Sequence, residues 1–368
     1  MRVLMSTDTV GGVWHYALQL IRALAPHGVH VTLATMGAPL SDDQRAEAQT
    51  IGNAEVISSA YRLEWMPEPW EDVARAGRWL LEIADAYCPD VVHLNHYAHA
   101  HLPFHAPALV VGHSCVLSWF RAVKGSIDGE SWQRYERTVR TALRHADLVV
   151  APTAAFGRSL DELYGPLRRQ RVIHNGRTLA KSTSSRREPI IFSAGRIWDD
   201  AKNVKGLAEL APKLEWPVHL ASIPHPDGGQ TWLENVTLLG HLSGIQMMDA
   251  YRRAGVYASP ARYEPFGLTV LEAALHGCPL VLSDIPTFRE LWHGAALFLP
   301  VDDQSAWRRT LNQLAKDETQ RAKLGMAARE RATRFSAERM AQDYFAAYQQ
   351  LRQRFAAPSI HSVSAKAV

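Results

Sequence analysis

In the stretch YEPFGLTVLE, two acids bracket a glycine turn: Glu264 before it and Glu272 after it, eight positions apart. Gly267 permits backbone angles closed to other residues and a close approach of ligand to main chain. A helix starting just after it leaves the amides of Leu268 and Thr269 without intrahelical partners, which makes that start an anion site. Glu272, four residues beyond Leu268, projects from the same face one turn deeper. Its carboxylate would repel a phosphate in direct contact, but it could accept hydrogen bonds from a pair of sugar hydroxyls set back from one. Glu264 stands on the loop, across the anion site. A ligand with sugar, phosphate and sugar in succession satisfies both acids. Plainer readings exist: the helix dipole alone favours a Glu near a helix start, and Glu264 also reads as a solvated loop residue.

The segment SAGRIWDDAKNVKG (193–206) adds cations. Arg196 follows a glycine at a strand end, and Lys202 or Lys205 lies within reach on the following loop or helix. Arg and Lys converging on a diphosphate stabilise its departure. Alternatively, Arg196 and Lys202 pair with Asp199 or Asp200. The two adjacent acids resemble half of a metal-binding cluster, but they point apart and no third ligand is evident, so no metal is expected. The His-rich run HLNHYAHAHLPFH (93–105) brings His96, His99 and His101 close in sequence, as a zinc site would. It follows a strand, and acceptor-pocket lining or plain loop histidines fit it better than a metal.

Short apolar, β-branched runs alternate with amphipathic stretches. Strands are expected at 2–6, 29–35, 90–95, 108–114, 147–153 and 171–175, with helices such as 13–27 and 130–145 between them. Apolar runs without alternation, each followed by a helix, are the pattern of parallel strands covered on both faces. The polar, Ser- and Arg-rich residues 176–189 break the rhythm and read as a linker. The pattern then restarts at 190–195, 217–222, 236–240, 255–260, 279–284 and 295–300. Two doubly wound α/β domains follow, with architectures alike but no fixed repeat: 1–175 and 190–335. Residues 336–355 read as a helix, with Ser336 as its cap and Glu338 in its first turn. Residues 356–368 carry no pattern and read as a mobile tail.

In open parallel sheets, ligands bind beyond the carboxyl ends of the strands. The unusual residues fall there: Gly11-Gly12, His93 and Asn95, His113, Gly195-Arg196, Gly240-His241, and the stretch around Gly267. Six such places on two sheets imply a cleft between facing domains.

The chain's 368 residues exceed what one core usually organises. A net charge of +3 does not suit a nucleic-acid binder. Arg168, Arg169 and Arg171 read either as solvated charge or as a peripheral contact to an anionic membrane face. Cys88, Cys115 and Cys278 are odd in number and lack metal-type spacing. Reduced, buried thiols in a cytoplasmic protein are the simplest reading. The N-terminus turns polar too early for a signal peptide, and no apolar run approaches the ~20 residues of a membrane span.

The stretch ARYEPFGLTVLEAALHGCPLVLSD resembles the E-x7-E signature region of the family 4 glycosyltransferases, which have the GT-B fold: two Rossmann-like doubly wound domains facing a central cleft, with a C-terminal helix crossing back to the N-terminal domain. FSAGRIWDDAKN resembles that family's Gly-Arg…Lys segment, VIHNG (172–176) its domain-joining Val-Ile-Pro-Asn-Gly, and TVGGVWHYALQLIRALAPHGVHVTLAT its glycine loop, first helix and second strand. The resemblance covers the chain to about 355 and is tightest over 190–300. It implies that Arg196 and Lys202 neutralise a donor diphosphate and that Leu268 and Thr269 offer it amides. Glu272 would hold the ribose, and Glu264 and Phe266 would line the transferred sugar. Gly240, His241 and Leu242 would pass the base. Gly12 would let its loop approach the phosphates and acceptor, and His113 would touch the transferred sugar. Lys202 stands one residue further from Arg196 than is commonest in the family, which keeps Lys205 as a rival. HNGRT replaces the usual Pro and acid at the hinge.

The implied reaction is retaining transfer from a nucleoside-diphosphate sugar, such as a UDP- or GDP-sugar, to a hydroxyl of a glycan or lipid-linked acceptor. It needs no cofactor and no metal, and the departing phosphate oxygen takes the acceptor proton. The alternatives are a nucleotide-sugar 2-epimerase of the same architecture, which the E-x7-E stretch argues against, and a non-catalytic binding protein, whose expected loss of Arg196 or Glu272 is not seen.

Overall fold

The apolar runs form strands whose faces are both covered, as their lack of alternation requires. The structure, a computed structural model, describes residues 1–127, 129–167, 169–178, 187–222, 233 and 235–356. The chain begins with β1 (Arg2–Asp8), α1 (Gly12–Leu24), β2 (His30–Met36), α2 (Asp42–Gln49), β3 (Ala54–Ser58), α3 (Trp70–Tyr87), β4 (Val91–Leu94) and β5 (Ala108–Val111). It continues through α4 (Val116–Lys124), α5 (Gly129–His145), β6 (Leu148–Ala151), α6 (Ala154–Tyr164) and β7 (Gln170–Val172). These strands make one seven-stranded sheet in the order β3-β2-β1-β4-β5-β6-β7. Every pairing in it is parallel, with Val3 opposite both Val31 and Val91.

The second half starts with β8 (Glu188–Ala194), α7 (Val204–Leu210), β9 (Val218–Ala221), β10 (Thr237–Gly240), α8 (Gly244–Arg253) and β11 (Ala254–Ser259). Then come α9 (Leu268–Leu275), β12 (Leu280–Ser283), α10 (Pro286–Trp292), β13 (Leu297–Leu299), α11 (Gln304–Lys316), α12 (Glu318–Ala332) and α13 (Ala337–Ala356). Its sheet has six strands in the order β10-β9-β8-β11-β12-β13, again parallel throughout.

Each sheet reverses its winding once, between β1 and β4 in the first and between β8 and β11 in the second. A crevice opens at such a switch point, because the connections on either side leave in opposite directions.

The last helix belongs to the first sheet. Met340, Ala341, Tyr344, Ala347, Tyr348 and Leu351 recur at helical spacing, and all are buried against Trp14, Leu20, Ile21 and Val91. Each large side chain so buried contributes about 1.5–3 kcal/mol. Ser336 caps this helix by accepting from the Arg339 amide at 3.1 Å, and Glu338 lies in the first turn. The chain crosses itself where α13 begins. Arg177 N donates to Phe335 O at 3.0 Å, and Ala337 N donates to Arg177 O at 3.2 Å. A Cβ on Gly176 would lie 2.2 Å from Ser336 O, so only glycine permits the crossing.

Some elements differ from expectation. β3 is unforeseen: only Val56 and Ile57 in AEVIS carry a strand signal, and the strand sits on the sheet edge, half-exposed. β8 starts two residues before the expected boundary at 190. Residues 176–178 are tied into the crossing, whereas 179–186 of the expected linker lie outside the described residues, as do 357–368 of the expected tail. Cys115 and Cys278 are buried, but Cys88 is exposed, because it ends α3 in a left-handed turn at φ 44°. Of the basic cluster, Arg168 lies outside the described residues. Arg169 faces Asp147 at 3.5 Å, and Arg171 donates to Gln350 at 2.6 Å. Among the described residues no helix is long and apolar enough to cross a membrane.

Candidate active site

The two switch points face each other. Gly11 and Gly12 follow β1, Arg196 follows β8, and Gly267 precedes α9, just beyond β11. A Cβ on Gly12 would sit 3.8 Å from Leu268 Cδ1, and one on Gly11 would sit 3.7 Å from Arg196 Nη1. Residues far apart in the chain thus approach each other here, the glycine loop of the first sheet against Arg196 and Leu268 of the second. Gly267 has φ 87°, and a Cβ there would meet Phe288 at 3.1 Å and Val270 at 3.2 Å. The turn therefore requires glycine, and it aims the first amides of α9 at the glycine loop. No side chain caps that helix start, which leaves the Leu268 and Thr269 N–H groups of the first turn for a ligand.

The cations stand beside this helix start. Arg196 Nη2 donates to Asp199 Oδ2 at 2.5 Å, its guanidinium lies over the Trp198 ring at 4.9 Å, and its Nε has no hydrogen-bond partner. Lys202 Nζ donates to Glu264 Oε2 at 2.6 Å. Asp199 also accepts from Trp119 Nε1 of α4 at 3.2 Å and from the Ala201 amide at 3.0 Å. Burial works to raise the Asp199 carboxyl, but Arg196, Lys202 and these hydrogen bonds outweigh it and hold it below its ordinary value. Lys205 is exposed and borders a cavity of about 420 Å³ with Lys124, Asp199, Asp200 and Arg262, while the bond to Glu264 is made by Lys202. Lys202 is therefore the lysine that faces the helix start.

Glu272 lies one turn into α9, as its spacing requires. Both of its oxygens are engaged: Oε1 accepts from Arg177 Nε at 2.8 Å and Oε2 from Tyr251 Oη at 3.1 Å. Arg177 also donates to His15 O at 3.3 Å, so the hinge, α1 and α9 meet at this carboxylate. His15 is lowered by burial first and by Arg177 next, with His241 adding to it and Glu272 opposing it. Gly240, at φ 67°, ends β10, exposed His241 follows it within electrostatic reach of His15, and half-buried Leu242 turns back into the core. Phe266 differs from expectation. Its ring is buried, edge-on to Phe335 at 5.8 Å, so it supports the loop from beneath and offers the cleft only main chain.

On the first sheet, Asn95 organises the histidines. Its Oδ1 accepts from His113 Nε2 at 2.7 Å and from His93 Nε2 at 3.2 Å, while its amide donates to Ser6 O at 2.8 Å. His93 Nδ1 then accepts from Tyr348 Oη of α13 at 2.7 Å. These bonds put the proton on Nε2 of both rings and turn Nδ1 of His113 into an acceptor. Tyr16 packs edge-on to His113 at 4.5 Å. Burial pushes His93 and His113 down to about 3, and His96 and His99 down to about 4, so all four are neutral at physiological pH. Among the described residues no three His, Cys, Asp or Glu groups are disposed to hold a metal ion.

The domains are joined beside the cleft. Tyr263, preceding Glu264, accepts from the Cys115 amide at 3.0 Å and bonds Ser118 Oγ at 2.8 Å. Glu290 of α10 accepts from the Ala154 and Ala155 amides of α6, both at 2.7 Å. Sequence reasoning missed Arg177, Tyr263 and Glu290, whereas the Arg196–Asp199 pair is one of the alternatives it leaves open. For Arg177 a signal existed, an arginine at the hinge where the resembled pattern has none.

Two facing parallel sheets with an anion-seeking helix start and converging cations define a two-domain enzyme of the GT-B architecture. Residues 10–181 match the family described as Glycosyltransferase Family 4, and residues 231–331 match that described as Glycosyl transferases group 1. The chain is 26% identical over 331 residues to a glycogen synthase of Mycobacterium tuberculosis, covering 77% of this chain and 78% of that protein. It is 27% identical over 406 residues to a D-inositol 3-phosphate glycosyltransferase of Xylanimonas cellulosilytica, covering 95% and 94%. Among solved structures it superposes on sucrose-phosphate synthase from Thermosynechococcus elongatus with a TM-score of 0.77 at 19% identity, over 96% of this chain and all of that one. For HepE of Anabaena in complex with UDP and glucose, the TM-score is 0.73 at 17% identity, over 95% and 100%. The chain belongs to the family 4 glycosyltransferases and is a glycosyltransferase.

Proposed function

We propose that this glycosyltransferase moves a sugar, with retention of configuration and without a metal, from a nucleoside-diphosphate sugar to an acceptor hydroxyl. The observation that carries the reading is the close approach of Gly11-Gly12 to the uncapped start of α9 and to Arg196, with Lys202 on Glu264 beside it. An incoming diphosphate takes the Leu268 and Thr269 amides and draws Arg196 from Asp199 and Lys202 from Glu264. Glu264 is then released to accept from the transferred sugar. Glu272, held by Arg177 and Tyr251, has lone pairs left for the ribose hydroxyls, and the 240–242 turn runs past the base. HepE, whose solved complexes contain UDP, UDP-glucose, and UDP with glucose, supports a UDP-sugar as donor.

In the transfer, the bond from the anomeric carbon to the diphosphate oxygen breaks as the acceptor oxygen attacks the same face. The acceptor proton passes to the departing oxygen. Arg196, Lys202 and the helix amides stabilise the charge that develops there. Gly12 lets its loop close on the phosphates. His113 faces the transferred sugar with its free Nδ1. The acceptor is a glycan or a lipid-linked saccharide, and the protein works in the cytoplasm, with peripheral contact to the inner membrane face where the acceptor is lipid-linked.

Arg196→Ala tests the reading. Turnover, followed as acceptor-dependent release of nucleoside diphosphate, falls by about 10²–10³, and the melting temperature is retained. Wild-type turnover in that variant would remove the diphosphate assignment. Donor consumption without acceptor would favour the epimerase. No calorimetric binding of UDP or GDP by the wild type would remove the donor reading altogether.

A further inference from the structure

Beyond the glycine loop, the first sheet carries buried polar side chains whose hydrogen-bonding capacity the fold uses only in part. Asp8 ends β1, Glu64 lies in the turn after β3, and His96 and His99 lie in the loop after β4. All four are more than nine-tenths buried, at 7%, 2%, 5% and 2% exposure. Asp8 Oδ1, Glu64 Oε2, both ring nitrogens of His96 and Nδ1 of His99 have no hydrogen-bond partner among the described residues. A buried polar atom left unpaired costs about 1–3 kcal/mol, so five in one place call for a ligand or ordered water.

Glu64, His96 and His99 are brought together by the turn after β3 and the loop after β4, with Asp8 within electrostatic reach of Glu64. Glu64 Oε1 accepts from the Tyr97 amide at 2.8 Å, which fixes the turn after β3 against the His-bearing loop. The His96 and His99 rings lie 6.4 Å apart. Glu64 acts electrostatically on both Asp8 and His99, and His96 acts on His113. Asp8 opens the loop that carries Gly11 and Gly12, so the cluster adjoins the pocket assigned to the diphosphate.

The donor set is selective. Glu64 accepts through Oε2, and Asp8, which holds its proton up to about pH 7, both donates and accepts. His99 donates from Nε2 to Val73 O at 3.0 Å and accepts at Nδ1, and His96 both donates and accepts. The charged groups bearing on Asp8 are Glu64 and Arg196, and Arg196 is already committed to Asp199. A phosphate placed here would face two carboxyls without a cation of its own. Hydroxyls both donate and accept, so they suit carboxyl oxygens and imidazole nitrogens alike.

We propose that Asp8, Glu64, His96 and His99 form the acceptor subsite, and that it takes an uncharged, hydroxyl-rich sugar and rejects a phosphorylated one. The inference rests on the transferase reading and narrows it to one acceptor class. Its test is direct binding. The protein saturated with UDP is titrated with glucose, maltotriose and myo-inositol, and with glucose 6-phosphate and inositol 1-phosphate, by calorimetry and saturation-transfer NMR.

At least one neutral probe should bind at least tenfold more tightly than its phosphorylated counterpart. Glu64→Gln keeps the carbonyl that the Tyr97 amide needs. It should weaken neutral binding about tenfold and narrow the discrimination against phosphate, with an unchanged melting curve to show that the fold is intact. Preference for the phosphorylated probes, no binding of any probe, or indifference to Glu64→Gln would each overturn the proposal. UDP affinity and acceptor-dependent diphosphate release are read separately. If UDP binds and some acceptor drives release while the subsite test fails, only this inference falls. If UDP itself does not bind, the donor reading falls.

Discussion

Replacing Asp8 by Asn tests whether a proton is held at the mouth of the glycine loop. Burial drives the Asp8 carboxyl from 3.8 up to about 7. The Val10 amide opposes this by a hydrogen bond, Glu64 adds to it, and Arg196 opposes it. Between about pH 4 and pH 7 the folded chain therefore keeps a proton that the unfolded chain has released. Stability from this group is full below the unfolded value and is lost as pH rises through the folded one. A rise of about three units corresponds to about 4 kcal/mol in total, of which about 2–3 kcal/mol falls between pH 5 and pH 8. Asn keeps an oxygen for the Val10 amide and has no proton to lose, so Asp8→Asn lacks this slope. The assay is urea denaturation of both chains at pH 5 and pH 8, followed by tryptophan fluorescence and scored as the difference between chains, so that other titrating groups cancel. The wild type should lose about 2–3 kcal/mol more than the variant over that interval. Parallel pH dependence in the two chains would show that Asp8 titrates as an ordinary exposed carboxyl and would refute the reasoning.

Gly267→Ala forces a Cβ into a left-handed turn against Phe288 and Val270. It should cost about 1–3 kcal/mol in thermal stability and weaken UDP binding several-fold, and an unchanged dissociation constant would detach the turn from the donor site. Glu290→Gln keeps one acceptor for the α6 amides but removes the charge that bridges the domains. It should destabilise by about 1–2 kcal/mol and enlarge the radius of gyration in solution scattering. Identical melting and scattering curves would show that this clasp does not hold the domains.

The fold was largely legible in the sequence because parallel strands covered on both faces have little choice but to be continuous apolar runs. Twelve of the thirteen strands were anticipated from such runs. The missing one, β3, is a half-exposed edge strand with only two strong β formers, Val56 against one core and Ile57 against the other, too little signal to rise above a loop. The helix start at Leu268 and the place of Glu272 one turn deeper were legible for a local reason: a glycine turn and the helix repeat determine both within eight residues. The ring of Phe266 was misread because the periodicity of a loop does not say which side of it faces the core.

The sequence alone determined the alternation of strand and helix, the glycine turns and the cationic segment after β8, since each rests on steric and hydrogen-bonding rules acting over a few residues, and its motifs carried the resemblance to a family. Tertiary structure alone decided which partners those residues meet. It set Lys202 rather than Lys205 beside Glu264, closed Arg177 onto Glu272, brought Gly12 to Leu268, buried Asp8 and tied Glu64 to the loop that carries His96 and His99. The physical reason is that these contacts join segments tens to hundreds of positions apart. Their geometry comes from the packing of two sheets and a returning helix, which no local rule encodes.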